Sequence, residues 1–151
     1  MTWKPHVTVA AVIEYDDRFL CVEEIIAGQR RLNQPAGHLE PGESLEEAVQ
    51  REVMEETRFE FFPSHLTGVY LWRAEPDKPT FLRATFTGTL GIEHKDQALD
   101  PDIDAVTWLS DKDILGRQTQ WRSPLVGRCI LDYLAGTRHP LSCLVDLIGQ
   151  T

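Results

Sequence analysis

The sequence contains little cysteine. Cys21, Cys129 and Cys143 are the only cysteines among 151 residues, and no two of them have the CxxC spacing. Three widely spaced cysteines exclude a disulfide framework and a zinc ribbon. We therefore expect reduced thiols, which are typical of a cytoplasmic protein.

Basic residues and long apolar runs are also scarce. The 15 Lys and Arg residues are outnumbered by 24 Asp and Glu residues, and the formal net charge is −9. This balance argues against binding nucleic acid through a basic surface. The N-terminal stretch "MTWKPHVTVA" lacks the apolar core of a signal peptide, and no later run is long enough to span a membrane. We expect a cytoplasmic protein without a nucleic-acid or membrane partner, although an acidic chain can bind a phosphorylated small molecule through a divalent cation.

The length fits one domain over residues 1–151, and the apolar patterns predict an α/β protein. Two apolar runs on either side of Asp16 and Asp17 predict a hairpin, "HVTVAAVIEY" and "FLCVEEI". Pro and Gly predict no regular structure in "NQPAGHLEPGE". More strands are predicted in "HLTGVYLWRA", "TFLRATFTGTL" and "IDAVTWLS", and helices in "DKDILGRQ" and "PLVGRCILDYLAG". The consistent fold class is a mixed β-sheet with helices packed on it.

An acidic helix follows the segment rich in Pro and Gly. Ser44 with Glu47 three residues later forms a capping box, so the helix should begin near Leu45 and run to about Thr57. The following "RFEFFP" should end it, because Pro63 cannot continue a helix. We expect the three phenylalanines of this segment to lie in the core: Phe59, Phe61 and Phe62.

Three carboxylates of this helix share one arc when residues are placed at about 100° per step: Glu52, Glu55 and Glu56. The helix dipole disfavours negative charge near the C-terminal end, so a positive charge must compensate it. Salt bridges on a solvated surface are the ordinary explanation of such a run. However, Arg51 and Arg58 are the only basic neighbours within reach. A half-open set of carboxylates suits Mg²⁺, which keeps several waters and commonly binds phosphate oxygens as well.

The spacing of these residues resembles the Nudix box, the signature of the Nudix hydrolases. The matching residues are Gly37, Glu43, the run "REVMEE" from Arg51 to Glu56, and the apolar Phe59. The sequence departs from the pattern at Arg58, where the family has Gly. A non-Gly residue in a left-handed helix terminus costs about 1 kcal/mol. The departure removes no ligand.

The resemblance implies the Nudix fold, with a mixed β-sheet sandwiched between α-helices, and attack of water on a phosphoanhydride with Mg²⁺, for which Mn²⁺ is an expected substitute. It implies metal ligation by the side chains of Glu52, Glu55 and Glu56 and by the carbonyl oxygen of Gly37. It also implies that Arg51 orients Glu52 and that Glu43 pairs with Arg51. For the general base, Glu52 and Glu56 are the leading candidates, followed by an acidic patch: Asp100, Asp102 and Asp104.

Short blocks along the chain are similar to one bacterial phosphatase subgroup of the family: "KPHVTVA", "NQPAGHLE", "EPDKP", "FLR", "DIDAVTWLS" and "RSPLV". The similarity implies release of orthophosphate from nucleoside di- and triphosphates, leaving a monophosphate. It also implies action on the pyrophosphates of thiamine and of hydroxymethylpyrimidine. Two alternatives stay open: a Nudix-like module that binds a nucleotide without turnover, and an acidic cation-binding protein in which Arg51 has no role.

Substrate contacts follow from residue chemistry. Rings stack on bases and cations bind phosphates, which selects Asn33, Gln34, His38, Trp72, Arg83 and Arg122 as candidates. Core packing is an equal alternative for Tyr70 and Trp72, and His38 fits a loop residue without a catalytic task. We expect a monomer or a homodimer.

Overall fold

A computed structural model describes residues 2–151. The chain forms short strands in its N-terminal third, two long strands in the middle and helices towards the C-terminus. Two single-turn 3-10 helices cover Gln118–Gln120 and Leu141–Cys143. In chain order the other elements are β1 (His6–Val12), β2 (Glu14–Tyr15), β3 (Arg18–Ile26), β4 (Gln29–Asn33), β5 (Ala36–His38), α1 (Leu45–Thr57), β6 (Phe59–Trp72), β7 (Phe81–Glu93), β8 (Ala105–Leu109), α2 (Asp111–Gly116), α3 (Leu125–Leu134) and β9 (His139–Pro140).

The central sheet has the order β5-β1-β7-β6-β9 and is mixed, because β1 and β7 are parallel whereas the other neighbours are antiparallel. Successive residues of a strand face opposite sides of a sheet. Ala84 of β7 packs in the core cluster under α1, whereas the hydroxyl of Thr85 contacts the Cys129 thiol of α3. The sheet therefore lies between α1 and α3, which confirms the predicted α/β sandwich.

A second, antiparallel sheet is built around β3, which pairs with β2, β4 and β8. Asp16 and Asp17 both have positive φ angles, 52° and 59°, as the tight turn between β2 and β3 requires. The predicted hairpin is therefore present, but its first strand is the short β2 and not the whole of the first apolar run. The longer strand β1 pairs in the central sheet instead.

Helix α1 has the predicted bounds. The Ser44 hydroxyl accepts a hydrogen bond from the Glu47 amide at 3.1 Å, as the capping box predicts. The helix ends at Arg58, whose φ of 68° is left-handed and whose amide donates to the Met54 carbonyl at 2.8 Å. Arg58 thus adopts the conformation that the family pattern reserves for Gly.

Three local predictions are wrong. The segment rich in Pro and Gly contains β5, because Ala36–His38 pairs with β1. The strand predicted in "HLTGVYLWRA" begins earlier than predicted. Strand β6 starts at Phe59 and continues through Pro63, where a change of register accommodates the missing N–H. Phe62 is 52% exposed and is not in the core, since residues of β6 alternate between faces and Phe61 takes the buried one. Within the described residues, none of the helices is long and apolar enough to cross a membrane.

Candidate active site

The candidate site is an open cavity of about 350 Å³ over one edge of the central sheet. At this edge two rows of residues lie in register on one face of the sheet, two positions apart along β1 and β7, and all of them except His6 line the cavity. The outer row joins His6, Phe81 and Trp72 across β1, β7 and β6. The inner row joins His38, Thr8 and Arg83 across β5, β1 and β7.

The acidic wall of the cavity comes from α1. Glu52 and Glu56 lie one turn apart, are largely buried and line the cavity. A carboxylate oxygen of Glu56 accepts a hydrogen bond from the Ala36 amide at 2.8 Å. Burial, together with the negative charge of Glu52 and other nearby carboxylates, raises the pKa of Glu56 to about 9. Burial also raises the pKa of Glu52. Both groups thus lie where a cation would favour ionisation.

Gly37 packs directly against the Glu52 carboxylate. A Cβ atom at residue 37 would overlap all three carboxylate atoms of Glu52, so this position accepts only Gly without a rearrangement. The close approach brings the backbone of β5 against a carboxylate of α1. This is the arrangement that ligation through the Gly37 carbonyl would require.

Arg51 lies at the centre of a network of ion pairs behind the acidic wall. Its guanidinium donates to both oxygens of Glu43 at 3.0 and 2.8 Å, to Glu52 at 2.8 Å and to Glu55 at 3.2 Å. It also donates to the His38 carbonyl at 2.9 Å. Hydrogen bonds from Arg51 lower the pKa of Glu43. Arg51 therefore supplies much of the positive charge that the acidic helix needs.

The residues fit a hard cation that keeps open positions. Within residues 2–151, no three His, Cys, Asp or Glu side chains already converge closely enough to hold an ion. Glu55 binds Arg51 and does not line the cavity. Glu52, Glu56 and the Gly37 carbonyl would therefore supply part of a coordination shell, with water and phosphate oxygens completing it. Ligation by all four predicted groups stays a prediction.

Other acidic residues approach from outside the box. Asp100 and Asp102 line the cavity, and the Asp100 amide donates to the Glu55 carbonyl at 2.8 Å. Asp104 instead pairs with Arg30 at 2.7 Å and does not line the cavity. Glu24 of β3 also lines the cavity, and burial raises its pKa. The sequence offered no signal for Glu24, because only the packing of the two sheets brings it to the site.

Five of the six predicted substrate contacts line the cavity: Asn33, His38, Trp72, Arg83 and Arg122. The sixth, Gln34, is 1% exposed and lies behind Arg83, from which it accepts a hydrogen bond at 3.2 Å. The structure thus places Gln34 where it holds another side chain rather than at the cavity surface.

The aromatic end of the cavity includes residues that the sequence did not indicate. Trp72 stacks on Phe81 with a centroid distance of 5.8 Å and an interplanar angle of 27°. His6 lies 5.1 Å from Phe81, and its Nδ1 is 3.0 Å from Nε2 of His38. Burial and the neighbouring His6 lower the pKa of His38. The cavity is therefore lined both by carboxylates and by flat apolar rings.

Comparison with known proteins agrees with this geometry. A family model for the NUDIX domain matches residues 4–129. Phosphatase NudJ of Escherichia coli is 45% identical over 144 residues, covering 95% of this chain and 93% of that protein, and the Shigella sonnei protein of the same name matches equally. A solved NUDIX hydrolase from Nitrosomonas europaea superimposes with a TM-score of 0.93 at 50% identity, covering 97% of this chain and 100% of the other.

The chain belongs to the Nudix hydrolase family, and its expected fold is confirmed. It is a Nudix hydrolase that acts on phosphoanhydrides, and it is similar to the NudJ phosphatases over nearly its whole length. That residues 1–151 form a single domain stays a prediction.

Proposed function

We propose that this protein removes orthophosphate from nucleoside di- and triphosphates and from the pyrophosphates of thiamine and hydroxymethylpyrimidine, leaving a monophosphate. The observation that carries the proposal is that buried carboxylates and a stacked aromatic pair line the same cavity. A pyrophosphate attached to a flat heterocycle matches this lining, because the rings can stack on the heterocycle and the carboxylates can bind the pyrophosphate through a divalent cation. The similarity to proteins named phosphatase NudJ supports the same substrate class.

Glu52, Glu55, Glu56 and the Gly37 carbonyl are the proposed ligands of Mg²⁺, with Mn²⁺ as a substitute. When bound, such a cation screens the phosphate charge and acidifies a water. Arg51 holds Glu52 in place and Glu43 holds Arg51, so both act through contacts behind the ligands.

Glu52 and Glu56 are the proposed proton acceptors for the attacking water. Each lines the cavity, so each carboxylate faces the space in which the attacking water would lie. Asp100 and Asp102 are the alternative bases, because they face the same space from the opposite loop.

The substrate heterocycle is proposed to stack at Trp72 and Phe81, where two rings already lie nearly parallel. His38, Arg122 and Asn33 also line the cavity and are the proposed polar contacts of the substrate. A cytoplasmic location, a monomer or homodimer, and the absence of a nucleic-acid partner stay predictions.

The test is phosphate release from GDP and from thiamine pyrophosphate, with Mg²⁺, with Mn²⁺ and with EDTA. We expect release that depends on the divalent cation and falls about 10- to 100-fold or more in Glu55→Gln and Glu56→Gln. Glu47→Gln is the matched control, because Glu47 is an exposed glutamate on the same helix. Binding of the substrates without any release would contradict the proposal and favour a nucleotide-binding module.

A further inference from the structure

Arg83 is a buried cation without a negative partner. It lies on β7, is 5% exposed and lines the cavity floor. Its terminal nitrogens donate to the side-chain oxygens of Gln34 at 3.2 Å and Asn33 at 3.3 Å, both of which are neutral amides. Within residues 2–151 its Nε has no hydrogen-bond partner. None of the ion pairs among the described residues involves Arg83.

Such an arrangement is unfavourable for folding alone. A buried charge loses its hydration, and long hydrogen bonds to amides recover only part of that loss. Buried polar atoms without partners are rare in native proteins, and each calls for an explanation such as a bound ion or a functional role. An apolar side chain of similar size would fill the same space at lower cost. The retained guanidinium is therefore explained by something that binds it.

The first turn of α3 lies beside Arg83. The amide nitrogen of Gln34 donates to the Val126 carbonyl at 2.9 Å, so Gln34 joins Arg83 to this turn. Ser123 and Leu125 line the same cavity. The helix is ten residues long, and its first amides already have partners, because Leu125 donates to the Ser123 hydroxyl and Val126 to the Ser123 carbonyl, both at 3.2 Å. This turn would therefore contribute its dipole rather than free N–H groups. The positive end of its dipole thus adds to the charge of Arg83.

We propose that Arg83 and the first turn of α3 form an anion subsite that binds a phosphate group without help from a metal ion. Asn33 and Gln34 are its positioning residues, because they hold the guanidinium from behind. The subsite lies in the same cavity as Glu52 and Glu56, so a substrate with two phosphates would be held from both sides. The assignment of this phosphate to the substrate rests on the proposed function, but the subsite itself does not.

The test measures phosphate binding by the full-length protein in EDTA, by calorimetry and by ³¹P NMR. Inorganic phosphate and GMP are titrated separately, because a free orthophosphate and the phosphate of a monophosphate product offer the same chemistry. We expect Arg83→Met to weaken binding of at least one of the two by tenfold or more. Arg73→Met is the matched control, since Arg73 is an exposed arginine outside the cavity and the same charge is lost. Equal affinities in the two variants for both ligands would overturn the inference.

Two further measurements separate binding from a structural role. Arg83→Met should melt at the same temperature as the wild type or higher, because a buried unpaired charge is removed; a clear loss of thermal stability would indicate a structural arginine and overturn the inference. Asn33→Asp places a carboxylate beside the guanidinium at nearly unchanged shape. We expect it to abolish phosphate binding while the protein stays folded, and wild-type affinity in this variant would also overturn the inference.

The outcomes distinguish this inference from the proposed function. Phosphate binding that depends on Arg83, in a protein that releases no phosphate from any substrate, would support the subsite and contradict the proposed function. Cation-dependent hydrolysis, with phosphate binding that is insensitive to Arg83→Met, would support the proposed function and contradict the subsite.

Discussion

Gly37 of β5 lies so close to Glu52 of α1 that the smallest side chain would displace the carboxylate. We therefore expect Gly37→Ala to lower turnover and Mg²⁺ affinity at least tenfold, because Glu52 or the strand must move. The thermal melting temperature should change little, since the site is at the edge of the sheet. Gly116→Ala is the control, because nothing lies within 4 Å of a Cβ atom there. Full activity in Gly37→Ala would contradict the assignment of Glu52 and Gly37 to the site.

Arg51→Lys tests whether the planar guanidinium is needed. A lysine keeps the charge but cannot donate to both oxygens of Glu43 while also reaching Glu52. We expect the free energy of unfolding to fall by about 1.5 to 3 kcal/mol, and turnover to fall with it. A double-mutant cycle with Glu43→Gln should show coupling between the two residues. The comparison variant is Arg30→Lys, at an exposed pair with Glu23 and Asp104. Additive effects of Arg51→Lys and Glu43→Gln would show that the two side chains act independently.

The raised pKa of Glu56 predicts how stability depends on pH when no metal is present. In the folded protein Glu56 keeps its proton up to a pH of about 9, whereas a solvated Glu loses it near 4.5. Between these values the folded state binds more protons, so stability falls as the pH rises, by at most about 1.4 kcal/mol per pH unit.

Chemical denaturation in EDTA at pH 5 to 9 should show this decline, and Glu56→Gln should make it shallower, while Glu52 and Glu24, whose pKa values burial also raises, account for the rest. Glu47→Gln should keep the wild-type slope. Added Mg²⁺ should reduce the decline and release protons on binding, because it favours the ionised carboxylate. The same slope in wild type and Glu56→Gln would show that Glu56 is not the group that titrates.

Arg58 tests the departure from the family pattern. Its left-handed conformation costs about 1 kcal/mol relative to Gly. Its side chain makes only long contacts, 3.4 Å to the Lys95 carbonyl and 3.7 Å to Glu93, and its buried Nε has no partner. We expect thermal unfolding to show that Arg58→Gly leaves stability unchanged or raises it by up to about 1 kcal/mol. Arg58→Ala keeps the strained backbone and loses the same contacts, so it should be the less stable of the two. A large loss in Arg58→Gly would show that the side chain contributes more than its contacts indicate.

Much of the helix and its charge pattern could be predicted because the interactions are local. The Ser44 cap and the bounds of α1 depend on residues within a few positions of each other, and the contact between Arg51 and Glu43 joins residues only eight positions apart. Strand β5 was not predicted, because the three residues Ala36–His38 are too few to show a periodicity. They lie between Pro35 and Pro41 and are held by pairing with β1. Phe62 was placed in the core because its segment was not predicted to be a strand, in which Phe61 and Phe62 face opposite sides.

The far walls of the cavity depend on contacts between distant parts of the chain. Glu24, Phe81 and Ser123 come from separate elements and meet only when both sheets and α3 have packed. Gln34 was chosen as a substrate contact from its chemistry, but the packing of α3 buries it behind Arg83.

The sequence by itself determined the acidic helix, its cap and the spacing of the box, since residues three and four apart on a helix share a face whatever surrounds them. The tertiary structure alone decided which carboxylates are buried. It alone also placed a cation without a counter-ion in the cavity floor. These outcomes depend on desolvation, and how much water a side chain loses is set by residues far away in the chain.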